Sequence, residues 1–388
     1  MAAPNLALRR PALQSSISLW STDPSRTVDA AVAVSGDLAS PRVFHTGQEY
    51  FPWWQVDLGQ AYLVDRVEIE NRPDMPERLA AFTLLGSLDG QAWRPLQTFR
   101  VEPAARYVLE LAPPRLARWL RLRLDGRGHL HFRQFAAFGV AGDNSTQREN
   151  FRATAAAWAA PPGREGRIAR VGGFDLLIAQ AYGRDISEAL RVGSYEDRER
   201  RLVTSLLRPG DRVLEVGTAI GLVAMTTAAM IGPEHISTFD ANPAMIADAE
   251  ANFARNGVEI AARCGALVPR GRFAAGARLA LHVSPQFWAS RLVEPGEGTI
   301  SVPTLCFEEE RARADANVLI CDIEGGEVDL LMEADLTGLQ LILLETHVWA
   351  VGEARTDALI RKMVLDGFAI DLDASGQGVA ALRRARAG

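Results

Sequence analysis

What most constrains this chain is a change of hydrophobic period near residue 140. Before it, short runs with period-two character recur: WWQVDLG (53–59), LVDRVEIENR (63–72), AFTLLGSLDG (81–90), ARYVLEL (105–111), RWLRLRL (118–124) and FAAFG (135–139). Turn clusters such as SLDGQ, APPR and DGRG separate them, and no convincing amphipathic helix intervenes. Many short strands at regular spacing predict an all-β sandwich of jelly-roll type. From residue 211 strand and helix alternate. DRVLEVG (211–217) precedes a helix over 220–231, and HISTFD (235–240) precedes one over 243–256. NVLICDI (317–323) leads into a helix ending near 335, and LQLILLE (339–345) into one over 353–366. Apolar runs followed by amphipathic helices predict buried parallel strands in an α/β doubly wound, Rossmann-like sheet. The end breaks the rule: GFAIDLDA (367–374), the turn SGQG and VAALRRA (379–385) form a hairpin, so the last strand runs antiparallel.

The 388 residues thus read as a multidomain chain. A β-sandwich fills 1–142, a linker with an Ala-rich bridging helix and a small hairpin (167–179) fills 143–193, and the α/β domain fills 194–388. A composition 48% hydrophobic and 23% charged excludes a disordered or fibrous chain. The net charge of −6 argues against a general nucleic-acid binder. It divides unevenly, +2 over residues 1–142 and −8 over the remainder. With no run of 18 apolar residues, no membrane span is expected, and MAAPNLALRRPALQSS lacks a signal-peptide core. Cys264, Cys306 and Cys321 have no C-x-x-C spacing, so neither a disulfide framework nor a zinc knuckle is expected. These features predict reduced thiols in a cytoplasmic protein.

The first strand-to-helix turn of the second domain, VLEVGTAIGL, places Glu215, Gly217 and Gly221 as E-x-G-x-x-x-G. Gly217 permits a tight turn and a close ligand approach, and the following helix offers unpaired N–H groups. Asp240 ends the second strand, 23 residues after Gly217, where a carboxylate can hold ribose hydroxyls. A nicotinamide site needs glycines where Thr218 and Ala219 stand. Without a pyrophosphate cradle, a nucleoside with an amino-acid tail fits better, namely S-adenosylmethionine, with Glu215 orienting the tail's ammonium. Ala241 and Asn242, directly after Asp240, complete the predicted cofactor set.

At this point a resemblance becomes specific. VLEVGTAIGL, STFDANP, VPTLCFEE, LICDIEGGEVDLLM and LILLETH make residues 194–372 resemble the FkbM-type methyltransferases. The resemblance implies S-adenosylmethionine as cofactor and methyl transfer to a hydroxyl, often on a sugar or glycan. The lysine common two residues before the motif Asp is Ile320 here. A hydroxyl is a poor nucleophile, so transfer needs a base or a metal. Asp322 and Glu345 end neighbouring strands, with Glu324, Glu327 and His347 close in sequence. His347 is the preferred general base, because its ordinary pKa lies near neutrality. Asp322 and Glu345 could orient it, bind sugar hydroxyls or hold a divalent cation through hard oxygens, and Glu324 is a further catalytic candidate. No spacing fixes a complete metal-ligand set. Glu327 reads as a helix cap.

The N-terminal domain resembles the discoidin (coagulation factor 5/8 C-type) family, especially its fucolectin-like branch. The matching text is NLALRRPALQSS, FHTGQEYFPWWQVDLG, VEIENRPDMPERLAAFTLLGSLDGQAW and FAAFG. The resemblance implies a sugar site in which His45, Arg72 and Arg78 donate hydrogen bonds and Asp74 orients the arginines. Trp53 or Trp54 could add an apolar face, although the core claims at least one. The family's structural calcium site matches Asp29, but its partner carboxylate is replaced by Gln134, which weakens a calcium expectation. Departures include a spacing from Asp74 to Arg78 one residue short, and Met75-Pro76 where adjacent cysteines are common.

Together these features predict an S-adenosylmethionine-dependent O-methyltransferase whose acceptor is a sugar hydroxyl on a glycan held by the N-terminal module. Two rivals are a methyltransferase for small natural-product sugars and a glycan-binding protein whose methyltransferase domain is inactive. The oligomeric state is not legible.

Overall fold

The computed structural model describes residues 3–141, 166–179, 182–274, 276–283, 291–293, 296, 298–376 and 378–385. The predicted bridging helix falls outside them. Two compact units emerge, one built mainly on residues up to 141 and the other mainly on residues from 166 onward. Among the described residues no helix is long and apolar enough to cross a membrane.

The first unit is all-β, but its strands are fewer and longer than their sequence signals. The runs at 53–59 and 63–72 are one strand, Trp53–Glu70, and those at 105–111 and 118–124 are another, Arg106–Leu124. The two pair antiparallel along their length, with register shifts between Asp57 and Tyr62 and between Val64 and Arg66. The second shift flips the buried parity. Trp54, Val56, Leu58 and Val64 face the core before it, Val67 and Ile69 after it. The APPR segment, which reads as a turn, spans the partner side of this irregularity. Ala12–Gln14, Ala81–Ser87, Arg94–Arg100 and Gln134–Ala141 complete a six-stranded antiparallel sheet. A six-residue helix, Arg26–Ala31, does intervene, capped by Ser25. Its Ala30 carbonyl accepts the indole N–H of buried Trp54 at 2.9 Å.

In the second unit seven strands form one sheet: β1 (Val213–Val216), β2 (Ile236–Asp240), β3 (Ala261–Cys264), β4 (Val318–Cys321), β5 (Leu341–Glu345), β6 (Phe368–Ile370) and β7 (Val379–Arg384). Their order is β3-β2-β1-β4-β5-β7-β6. The pairs among β1 to β5 are parallel, while β7 runs antiparallel to both β5 and β6. Strand order reverses between β1 and β4, which opens a crevice at their carboxyl ends. Leu214, Leu319, Ile342 and Leu344 are fully buried, as continuous apolar strands covered on both faces should be. Helices Leu222–Ile231, Pro243–Asn256 and Glu353–Leu365 follow β1, β2 and β5. A smaller four-stranded sheet lies between β3 and β4 in sequence, from Ala266–Val268, Arg278–His282, Arg291–Val293 and Thr299–Cys306. Neither it nor β3 has a counterpart in the sequence reading.

Candidate functional sites

A cavity of about 490 Å³ opens at the carboxyl edge of the large sheet. Gly217, Ala219, Asp240, Ala241 and Asn242 form one side; Asp322 and Glu324 form another. Leu279 and Leu281, from the smaller sheet, add an apolar wall. Glu215, Thr218 and Gly221 lie outside the lining.

The glycine turn is built differently from its sequence reading. A Cβ on Gly217 would stand 1.7 Å from the Asp322 carbonyl oxygen, and φ is +102°. One on Gly221 would meet the Phe253 ring at 2.4 Å. Strand and helix packing, as much as ligand access, therefore demands both glycines. Ala219, at φ +45°, donates its N–H to Asp240 Oδ2 at 3.0 Å, and Asn242 donates to Oδ1 at 2.7 Å. Asp240 is thus fixed with lone pairs to spare for ribose hydroxyls. Burial raises its pKa to about 6 despite these donors. Asn242 also caps the next helix, its Oδ1 accepting the Ala244 N–H at 3.0 Å.

Glu215 is 1% exposed and takes the Thr238 hydroxyl on Oε2, while Oε1 has no partner. Burial pushes its pKa up to about 8. Asp322 Oδ1 and Glu196 Oε2 are likewise buried without a hydrogen bond. Glu196 lines the cavity beside Tyr195 and sits in the left-handed region at φ +48°. Sequence reading missed it, since nothing separates it from other helix-start glutamates. Three buried carboxylate oxygens without donors suit a cationic ligand, and Asp240 suits its ribose.

Behind the Asp322 wall the ends of β4 and β5 converge on His347, which is 5% exposed. Its Nε2 stands 3.2 Å from Glu324 Oε2, 3.6 Å from Asp322 Oδ1 and 3.9 Å from Glu345 Oε1. Its Nδ1 meets Glu327 Oε1 at 2.8 Å, an oxygen that also accepts the N–H groups of Ile323 (2.9 Å) and Gly325 (3.2 Å). Glu327 therefore holds the loop before its helix and orients the ring, more than a cap for that helix. Burial works to lower the His347 pKa, but Glu327 and the other carboxylates raise it on balance. Burial holds Glu324 near 7, and burial with the charges of Glu345 and Glu324 holds Asp322 far above the carboxylate range. Asp322, Glu345 and His347 each present a possible metal-ligand atom within 4.8 Å of the others. Cys264 and Cys306 are half-buried and Cys321 buried, none in a disulfide.

In the first unit His45, Arg72, Asp74 and Arg78 gather at one end with two histidines missed in sequence, His129 and His131. The His45 ring lies 5.1 Å from His129 and 5.0 Å from His131. Arg78 Nη1 reaches His131 Nε2 at 3.3 Å, and Arg72 Nε donates to Asp74 Oδ1 at 2.9 Å. That Arg72 bond holds the Asp74 pKa down at about 2. Trp20, 66% exposed, stands 5.3 Å from His45 and 5.5 Å from His129. Trp53 and Trp54 are both buried, so Trp20 supplies the exposed aromatic face. His45 Nδ1 lies 2.9 Å from the Thr46 carbonyl, which can only accept. The neutral ring therefore presents an acceptor at Nε2, where the family resemblance implied a donor.

Asp29 and Gln134 do not fit a calcium site. Asp29 is spent on Gln14 Nε2 (3.0 Å), Thr22 N–H (2.7 Å), Thr22 hydroxyl (2.9 Å) and His45 N–H (3.0 Å). Gln134 donates through Nε2 to the Val32 carbonyl (2.8 Å) and Ser35 hydroxyl (2.9 Å), and accepts the Gly36 N–H at 2.9 Å. An amide nitrogen stands where a carboxylate would have to ligate.

Comparison with known proteins supports this part of the chain. Residues 32–122 match the F5/8 type C family model described as NedA-like, galactose-binding domain. The N-terminal unit is an F5/8 type C, galactose-binding-like domain. Among solved structures, a Streptococcus pneumoniae fucose-binding module is 24% identical, covering 35% of this chain and 96% of its own, with TM-score 0.31. The lectin domain of lectinolysin complexed with Lewis b antigen is 26% identical, covering 36% and 98%, with TM-score 0.31. A fucolectin from Morone saxatilis (striped bass) serum is 22% identical, covering 36% and 48%, with TM-score 0.31. No curated protein matches the chain.

Proposed function

We propose that the chain is an S-adenosylmethionine-dependent O-methyltransferase acting on a sugar hydroxyl of a glycan held by its N-terminal module. The observation that carries this reading is one cavity bounded by Asp240 at the end of β2 and by Asp322 and Glu324 at the end of β4. In this reading Asp240 is the ribose anchor and the Asp322–Glu324 wall the proton acceptor, both lining one space. The antiparallel β7 and the donor-free Glu215, Glu196 and Asp322 oxygens favour a cationic nucleoside over a dinucleotide.

When bound, S-adenosylmethionine supplies a methyl group whose transfer to a hydroxyl oxygen leaves S-adenosylhomocysteine and one proton. Asp240 binds the ribose hydroxyls, Glu196 on the cavity wall faces the cationic tail, and Glu215 adds buried negative charge beneath the glycine turn. Leu279 and Leu281 exclude water from the apolar wall, which strengthens these charge contacts. Glu324, on the cavity wall, accepts the hydroxyl proton at its carboxylate. His347 lies behind that wall, so it positions Glu324 rather than taking the base role its type suggested. In the module Arg72 and Arg78 donate to vicinal sugar hydroxyls, His45 Nε2 accepts from one, and Trp20 offers an apolar face. Retention there raises the effective concentration of acceptor at the catalytic domain.

A glycan panel incubated with isotopically methyl-labelled cofactor and read by mass spectrometry tests the reading. Label on one sugar hydroxyl supports it; label on free small-molecule sugars alone points to the natural-product rival. Cofactor binding by calorimetry without transfer to any acceptor points to the inactive one. For the module, Arg72→Ala with Arg78→Ala should raise KM for the glycan at least about 10-fold with kcat unchanged.

A further inference from the structure

The cluster behind the cavity carries more charge than its one imidazole can balance. Glu327 Oε1 already accepts two backbone N–H groups, so toward His347 Nδ1 it can only accept again. His347 Nδ1 therefore donates to Glu327, which leaves Nε2 facing Glu324, Asp322 and Glu345. His347 is only 5% exposed. Asp322 Oδ1, buried in the same space and 3.6 Å from Nε2, has no hydrogen-bond partner. Three carboxylates thus converge on one ring nitrogen, and one of their buried oxygens has no donor, an arrangement that a cation among them would complete.

We propose that this point is a divalent-cation site, with Asp322, Glu345 and His347 Nε2 as its protein ligands. The proposal rests on the methyltransferase reading only for its role, since the site itself follows from the cluster. Its parts fit. Cys321 pairs with Leu344 across β4 and β5, so Asp322 and Glu345 leave adjacent strands side by side. The three candidate atoms lie within 4.8 Å of one another, close to the roughly 4.2 Å that two opposed 2.1 Å bonds span. Glu327 supplies the carboxylate that typically fixes the remote nitrogen of a ligating histidine. Two hard oxygens and one imidazole, without thiolate, suit a first-row divalent ion such as Mn²⁺, Fe²⁺ or Zn²⁺, of which Mn²⁺ serves as the paramagnetic probe. Three protein ligands leave positions open for water or an acceptor hydroxyl, whose proton the cation would make easier to lose.

The test titrates the chelator-treated full-length chain with Mn²⁺, in the absence of S-adenosylmethionine, and follows the free-ion signal by electron paramagnetic resonance. One tightly held Mn²⁺ per chain is expected, with ¹⁴N coupling from an imidazole. Glu345→Gln and His347→Gln should weaken binding at least about 10-fold, and His347→Gln should abolish the nitrogen coupling. Glu353→Gln, at an exposed helix start and not among the three ligands, should change nothing. Circular dichroism on each variant separates lost binding from lost fold, and the nitrogen coupling in the parent chain needs no variant. Failure to retain Mn²⁺ at millimolar concentration, or retention unchanged in both variants, overturns the proposal. Calorimetry with S-adenosylmethionine on the same chelated chain keeps the two readings apart. Cofactor binding without Mn²⁺ binding refutes only the metal site, and Mn²⁺ binding without cofactor binding refutes only the methyltransferase.

Discussion

Changing Gln134 to glutamate adds no atoms of consequence yet should break a self-sufficient loop clamp. The amide gives two hydrogen bonds, to the Val32 carbonyl and the Ser35 hydroxyl, and takes one from Gly36. Gln134→Glu keeps the accepting oxygen and sets a carboxylate oxygen against a carbonyl 2.8 Å away, at a position 9% exposed. Ser35 can rotate to donate, but Val32 cannot. The side chain escapes the repulsion by taking a proton, which costs about 3.7 kcal/mol at neutral pH for a group of ordinary pKa near 4.3. Leaving the carbonyl unsatisfied instead costs about 1–3 kcal/mol besides the buried charge. A loss of about 3 kcal/mol is therefore expected, or roughly a 10 °C fall in Tm for a domain this size. Tryptophan fluorescence during heating isolates the effect, since five of the eight tryptophans lie within residues 1–142. Calcium should change the Tm of neither protein, because Asp29 already has its oxygens occupied by four donors. Equal melting of both proteins in chelator, or a calcium-dependent Tm in the parent chain, would refute the reasoning.

Other outcomes follow from buried titrating groups. Burial holds His131 at about 3 in the folded chain, and the unfolded value is near 6.5. Over that interval the unfolded state binds more protons, so stability falls as pH drops; from about pH 7 to 5 the loss is about 2 kcal/mol. Urea denaturation at both pH values should show it, and His131→Phe should flatten the dependence. Under the proposed methyltransferase reading, the positive charge of the ligand's tail favours loss of the proton from nearby buried Glu215, whose pKa burial raises to about 8. S-adenosylhomocysteine affinity should then rise between about pH 6 and 7.5, while the ligand's amino group remains charged. Calorimetry on Glu215→Gln, which mimics the protonated acid, should find a shallower rise; an unchanged slope would remove Glu215 from the cofactor site.

The buried elements of the second unit were legible because continuous apolar runs have few alternatives. DRVLEVG, HISTFD, NVLICDI and LQLILLE each contain a strand of the large sheet, and the terminal hairpin runs antiparallel as its turn implied. The insert between β3 and β4 was silent, since strands such as Thr299–Cys306 are mostly half-exposed and mix polar with apolar residues without clean alternation. In the first unit the strands were seen and their continuity was not. Pro113 and Pro114 look like a chain reversal, yet they fall where the pairing jumps from Arg115 to Glu110, so no ladder hydrogen bond is asked of them. The carboxylates at strand ends were identifiable by position. The HLH spacing of His129 and His131 was a usable signal that went unread, because period two places both rings on one face. Trp20 and Glu196 carried no such signal. One is a lone aromatic in a polar loop, the other an acid ahead of a helix.

The shared oxygen of Glu327 has a consequence for how this region tolerates change. A single atom ties the backbone of Ile323 and Gly325 to a ring carried by the segment after β5. Segments far apart in sequence thus have one common mooring, and slack in either is taken up by the other. Shortening the tether by one methylene, as in Glu327→Asp, cannot reach all three donors at once. The loop beneath Glu324 and the tilt of the imidazole would drift together, so substitutions in these two segments should compensate one another in pairs.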